Sequence, residues 1–188
     1  MSDLARPVPG LWAQIREDWV AHGRDWTKPG FRAVAVHRFG NWRMTVTPKV
    51  ARAPFSTLYR MLYRRVRNVY GIELPYTVRL GRRVIFEHQG GVVIHGHCEI
   101  GDDSIVRQCV TMGIRTLDRL TDAPRLGRGV SVGAGAVLLG SITVHDGASI
   151  GANSVVLVDV PAGATAVGVP ARIIPSRTST TPAEGLEG

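Results

Sequence analysis

Aliphatic residues return every six positions through the second half of the chain. The clean run is Leu126, Val132, Leu138, Val144, Ile150 and Val156, and Ile94, Ile100, Val106 and Met112 keep the same period upstream. Leu80 and Phe86 keep it too, two residues out of phase with Ile94. Four residues after these positions stand small or β-branched side chains: Cys98, Ser104 and Val110, then Val130, Ala136, Ile142, Ala148, Ser154 and Val160. A helix repeats near 3.6 residues and a strand near 2, so neither produces this pattern. A parallel β-helix does: each hexapeptide gives one short strand and one tight turn, and three make a triangular coil. The aliphatic residue then points inward and stacks on its equivalent one coil away. Each such burial contributes roughly 1.5–3 kcal/mol. Gly or Asn at the corners accepts the left-handed backbone the turns require.

The first part of the chain reads differently. Trp12, Ile15, Trp19 and Val20 recur at helical spacing, as do Val34, Val36, His37 and Phe39 between Phe31 and Trp42. A third stretch, Phe55 to Val69, carries Leu58, Met61, Leu62, Val66 and Val69. Pro29-Gly30 and the segment Thr45 to Pro54 read as the breaks between these helices. The expected organisation is α+β: a helical region over 1–70, a β-helix over 71–174 with its solenoid ending near Pro170, and a Ser/Thr/Gly/Pro-rich disordered tail over 175–188.

The hexad register breaks twice. One break holds Glu87-His88-Gln89-Gly90-Gly91, and the other is the loop from Arg115 to Pro124. A regular solenoid needs neither, and interruptions of a repeat are where function is grafted. His88 is a candidate general base, since imidazole takes a hydroxyl proton at neutral pH. Its candidate orienting carboxylates are the neighbouring Glu87 and Glu73, about one coil earlier. His95 and His97 share a strand face but lack the further histidines a metal site would need, so no metal is expected. The corners Gly133-Ala134-Gly135-Ala136 and Gly151-Ala152-Asn153-Ser154 are smooth enough for an extended pantetheine arm. Thr111-Met112-Gly113 offers a backbone N–H toward a thioester oxygen.

Composition changes this picture little. The 188 residues include 44% hydrophobic and only 6% aromatic positions, which suits stacked aliphatic rows over aromatic plugs. The net charge is +8, with a concentration in Arg52, Arg60, Arg64, Arg65 and Arg67. That stretch reads as a solvated helix face, an anionic-ligand site or a peripheral contact with an anionic membrane. Nucleic-acid motifs are absent. Cys98 and Cys109 form no C-x-x-C pair, Met1 to Gly10 has no signal-peptide core, and no apolar run reaches membrane-spanning length; a cytoplasmic protein with reduced thiols is expected.

Several stretches together resemble the serine acetyltransferase branch of the hexapeptide-repeat acyltransferases. They are Tyr70-Gly71-Ile72-Glu73, Leu80-Gly81-Arg82-Arg83, Glu87-His88-Gln89-Gly90-Gly91-Val92-Val93-Ile94, Val110-Thr111-Met112-Gly113, Val132-Gly133-Ala134-Gly135-Ala136 and Val167-Gly168-Val169-Pro170-Ala171-Arg172. Ile15-Arg16-Glu17-Asp18, Arg24-Asp25 and Pro29-Gly30-Phe31-Arg32-Ala33 are similar to the family's helical region, so the likeness covers about residues 15 to 174. It implies a left-handed coil and direct acetyl transfer from acetyl-CoA to an acceptor hydroxyl. His88 would be the base, with Glu87 and Glu73 where the family usually has Asp. Asp25 and Arg115 would lie at the acceptor, and Gly113, Ala134, Gly135, Ala152 and Arg172 at the CoA. A homotrimer is implied, with pairing into a dimer of trimers, its active sites in the clefts between subunits.

Two departures stand out. Where the family holds the serine carboxylate with an Arg-His pair before Pro, this chain has Asp122-Ala123 before Pro124. It also ends in Gly188 where many members offer a terminal isoleucine to a sulfhydrylase partner. Serine and a sugar hydroxyl of polysaccharide biosynthesis therefore both stand as expected acceptors. A non-catalytic scaffold or binding protein on the same solenoid is the alternative, and the His88 interruption is what it would not need.

Overall fold

A computed structural model describes residues 9–176. Three helices come first: α1 (Leu11–Ala21), α2 (Pro29–Trp42) and α3 (Lys49–Arg65), the last running on through a π-helical turn over Val66–Tyr70. The break between α1 and α2 falls at Gly23 and Arg24, both at positive φ. Pro29-Gly30 is therefore no break but the first turn of α2, where a proline without its N–H costs nothing. The second break is shorter than expected, since α3 starts at Lys49 and contains Pro54. The lost bond is the one to the carbonyl of Val50, a residue 83% exposed, where water substitutes.

The β-helix follows. Its first coil comprises β1 (Ile72–Glu73), β2 (Arg79–Leu80) and β3 (Ile85–Phe86). The second has β4 (Val92–Ile94), β5 (Glu99–Ile100) and β6 (Ile105–Val106), and the third β7 (Thr111–Gly113), β8 (Arg125–Leu126) and β9 (Ser131–Val132). The fourth is β10 (Val137–Leu139), β11 (Thr143–Val144) and β12 (Ser149–Ile150), after which come β13 (Val155–Val156) and β14 (Thr165–Gly168). Every third strand pairs in parallel, giving three faces: β1-β4-β7-β10-β13, β2-β5-β8-β11 and β3-β6-β9-β12-β14. The coil is left-handed. The parallel ladder ends at β14, and β15 (Ala171–Ile174) turns back antiparallel along it. The tail expected over 175–188 lies outside the described residues from 177 onward.

Register explains the phase shifts in the sequence. A regular coil advances 18 residues, as from Leu126 to Val144 or Val132 to Ile150. Across the first break it advances 20, as from Leu80 to Ile100 and Phe86 to Val106. Across the second it advances 26, as from Ile100 to Leu126 and Met112 to Leu138. The breaks are thus insertions of two and eight residues. A third irregularity, unforeseen, is a deletion of two: Val144 bridges Val160 and Ile150 meets Ala166, each 16 residues on.

The core is one continuous cluster. Ile94, Met112, Leu138 and Val156 stack down one face, all essentially without solvent contact, and Val34 and Ala33 of α2 join them to the helical region. Helix α1 departs from expectation. Trp12 and Val20 are exposed, while Asp18 is 1% exposed. The reason is ionic: Asp18 Oδ2 accepts from Arg38 Nε at 2.9 Å, and the same guanidinium donates to the carbonyls of Leu80 and Gly81. The helix is thus fixed to α2 by a buried pair whose arginine reaches on to the coil, and Glu17 adds a direct ion pair to Arg82 beside β2. Helix α3 likewise buries Tyr59 and leaves Leu58 and Met61 outward.

Candidate active site

The insertion carrying His88 is pinned on both sides by backbone. Gly90 N–H donates to the Tyr70 carbonyl at 2.8 Å, Val92 N–H to Gly71, and the Gly90 carbonyl accepts from Cys109 N–H one coil on. Gly71, at φ 63, lies so close to Gly90 and Gly91 that a Cβ there would come within 3.2 Å of their backbone. The two extra residues are forced out of the prism, and Glu87, His88 and Gln89 all project to solvent. Helix α2 closes on this point from the other side, with Gly30 against the Phe86 carbonyl.

The carboxylates assigned to His88 have partners of their own. Glu87 Oε2 lies 2.8 Å from Arg107 Nε, and Arg107 also donates to Ser131 Oγ at 3.1 Å. Glu73, on β1, accepts from the Tyr63 hydroxyl at 3.4 Å. Burial, and then the charge of Glu73, push the Tyr63 hydroxyl up to about 12, so it stays a donor. Sequence reading named neither Arg107 nor Tyr63. Arg107 had a signal, since it stands 20 residues after Glu87, the advance of the long first coil. Tyr63 had none, because a helix-to-strand contact leaves no period.

One edge of the prism gathers much of the rest. The corners that lead onto the β1-β4-β7-β10-β13 face stack in the order His88 loop, Gln108-Cys109, Ala134-Gly135 and Ala152-Asn153. Each is tied to the next through the backbone: Cys109 N–H to Gly90, Gly135 N–H to Gln108, Asn153 N–H to Ala134. A side chain on Gly135 would collide with Asn153 Oδ1, which keeps this corner bare. Among the described residues the amides of Ala134 and Ala152 find no acceptor within the chain. A row of free N–H donors flanked by methyl groups and glycine fits the amide-bearing arm of a CoA thioester.

Other assigned residues lie elsewhere. Gly113 ends β7 at the far margin of the same face, and Arg115 follows it into the inserted loop. Arg115 shares a cleft of ≈ 420 Å³ with Asp118, Arg119, Asp122, Leu139 and Ser141. Asp122 is 3.8 Å from Arg119, and His97 Nδ1 is 2.8 Å from the Leu120 carbonyl, which fastens the loop to the preceding coil. Asp25 is engaged locally: its Oδ1 accepts from the hydroxyl and the amide of Thr27, the bonds that hold its carboxyl below the usual range. Arg172 is exposed on β15. Cys98 is buried and Cys109 exposed, both as free thiols. Among the described residues no cluster of three or more His, Cys, Asp or Glu side chains is arranged to hold a metal ion, and no helix is long and apolar enough to cross a membrane.

Comparison with known proteins agrees with this architecture. Residues 123–157 match the family model for bacterial transferase hexapeptide repeats. Over 146 residues the chain is 38% identical to a serine acetyltransferase of Helicobacter pylori, covering 78% of this chain and 81% of that one. It is 38% identical over 150 residues to a serine acetyltransferase of Synechococcus elongatus, covering 78% of this chain and 57% of that one. The chain thus spans little more than half the length of the latter relative. A solved serine acetyltransferase from Brucella abortus in complex with coenzyme A superposes with a TM-score of 0.74 at 29% identity, over 88% of this chain and 68% of that one.

Proposed function

The chain belongs to the serine acetyltransferase family of hexapeptide-repeat proteins, and from that membership we propose that it transfers the acetyl group of acetyl-CoA to the hydroxyl of L-serine. His88 takes the hydroxyl proton as the serine oxygen attacks the thioester carbonyl. The new C–O bond forms, the C–S bond breaks, and the departing thiolate recovers the proton from the imidazolium. The products are O-acetylserine and CoA. Glu73 and Glu87 supply negative charge near the imidazolium, and Glu87 is kept in place by Arg107. Gly113, at the end of β7, is assigned to the side of the thioester carbonyl, where charge develops. The amides of Ala134 and Ala152 and the bare Gly135 corner receive the pantetheine arm, with Arg172 available to the CoA phosphates. Asp25 and Arg115 are assigned to the acceptor.

The observation that carries this reading is the bare, backbone-donating corner column that begins at the one inserted histidine. The site is completed by a second copy of the chain in a homotrimer, since Gly113 and Arg115 stand across a strand face from His88. The enzyme works in the cytoplasm. The test is CoA release from acetyl-CoA with L-serine as acceptor. His88→Ala should lower kcat by about 100-fold or more, as loss of a general base does. A rate within a few-fold of the parent would show that His88 is not the base.

Asp122 favours a second acceptor. It puts an acid, paired with Arg119, where a clamp for the serine carboxylate would stand. An uncharged sugar hydroxyl of polysaccharide biosynthesis meets no such repulsion. Running the same assay with amino sugars and nucleotide sugars separates the two: turnover of these above that of L-serine selects the sugar.

A further inference from the structure

Between Asp25 and Glu73 the chain has no acidic residue, yet it carries ten lysines and arginines. Five of them, Lys49, Arg60, Arg64, Arg65 and Arg67, are exposed on α3 and its π-helical extension. None of the five has a carboxylate within ion-pair distance among the described residues. Helix α3 is held by one face only, through the buried Tyr59 and Val66 and the half-buried Phe55 and Leu62. Wound at 3.6 residues per turn, Val50, Pro54, Leu58 and Met61 form an outward stripe. Lys49, Arg60, Arg64 and Arg67 form the stripe beside it, and Arg65 projects within the apolar one. Val50 is 83% and Met61 63% exposed.

We propose that α3 docks the protein onto an anionic lipid surface, with its apolar stripe entering the headgroup boundary and its arginines meeting lipid phosphates. Apolar side chains beside a dense cationic stripe on one helix are what an interfacial helix needs. Two other occupants satisfy only half of the surface. A second copy of α3 would cover the apolar stripe but bring guanidinium against guanidinium with no acid on either helix. Nucleic acid would answer the cations and leave Val50, Leu58 and Met61 in water. This docking requires no acetyl transfer, so it stands apart from the acyltransferase reading.

The experiment is co-sedimentation of the full chain with vesicles of phosphatidylcholine and phosphatidylglycerol, beside vesicles of phosphatidylcholine alone. The protein should pellet with the anionic vesicles only, and added salt should release it. Replacing Arg60, Arg64 and Arg67 together by Gln should weaken partitioning roughly 100-fold, at about fivefold per cation. The Leu58→Ser/Met61→Ser variant keeps every charge and should weaken it by about tenfold or more. His88→Ala protein should pellet like the parent. The proposal is overturned by equal pelleting with neutral vesicles, by no loss in the Ser variant, or by duplex DNA binding as tightly as the anionic vesicles. It is overturned equally if the Gln variant sediments as a smaller assembly, which would make α3 a contact between copies.

Discussion

His37 sits in α2 with 1% of its surface exposed, its Nε2 2.9 Å from the Val78 carbonyl. Burial, and then the neighbouring Arg38 charge, push the imidazole down to about 4. In the unfolded chain the same group takes a proton near its ordinary 6.5. Between these values the unfolded state binds the extra proton, so stability is full above about pH 6.5 and falls as pH drops toward 4. The loss is on the order of 3 kcal/mol. His22, depressed mainly by burial, shifts in the same direction. Urea unfolding followed from pH 7 to 4 should show the decline, and His37→Gln, which keeps a donor for Val78, should flatten it. Gly30 makes the second point at this scale. A Cβ there would run into the Phe86 carbonyl, one residue before Glu87. Gly30→Ala must push α2 off the coil, at roughly 1–3 kcal/mol. It should lower both the melting temperature and acetyl transfer, the second because Phe86 anchors the strand from which the His88 turn departs.

At the scale of elements, the helices and the coil are held by different forces, and this decided how far each could be read from sequence. The coil is a repeat. Leu126, Val132 and Leu138 each repeat the same environment, so six-residue spacing named its core, and the insertions at His88 and Arg115 showed as slips of phase. The deletion before Val160 left no such trace, because Val160 already fits the small or β-branched position four residues after Val156. Helix α1 misled because its anchor is Asp18 on Arg38, and an ion pair has no hydrophobic period. Helix α3 misled because its second apolar stripe faces outward. Within the candidate site, His88 and the small corners were legible as breaks and turns in the repeat. The contact of Glu73 with Tyr63 depends on folding across elements, whereas that of Glu87 with Arg107 follows the 20-residue advance of the long coil. The α1 anchor can be measured. Asp18→Ala leaves the Arg38 guanidinium buried without its carboxylate and should cost about 3–5 kcal/mol in urea unfolding. Asp18→Leu combined with Arg38→Met removes both charges and should recover most of that loss.

At the scale of the whole molecule, the geometry of one prism limits what a single chain can enclose. His88 and the Ala134, Gly135 and Ala152 corners lie where chains enter the β1-β4-β7-β10-β13 face, and Gly113 and Arg115 lie where they leave it. The face between is about three residues wide, on the order of 10 Å of extended chain. A flat face of that width lets neither edge reach around a bound thioester and acceptor together. In a cyclic trimer the entering edge of one copy can meet the leaving edge of the next, and one cleft then holds both sets. This arrangement predicts complementation. If His88→Ala and Arg115→Glu chains are each inactive alone, refolding them together in equal amounts creates clefts with an intact His88 from one chain and an intact Arg115 from its neighbour. Random assortment gives such a cleft about one time in four, so mixed trimers should recover about a quarter of parental acetyl transfer. Sites built within single chains would recover none, because every chain in the mixture is defective at one edge.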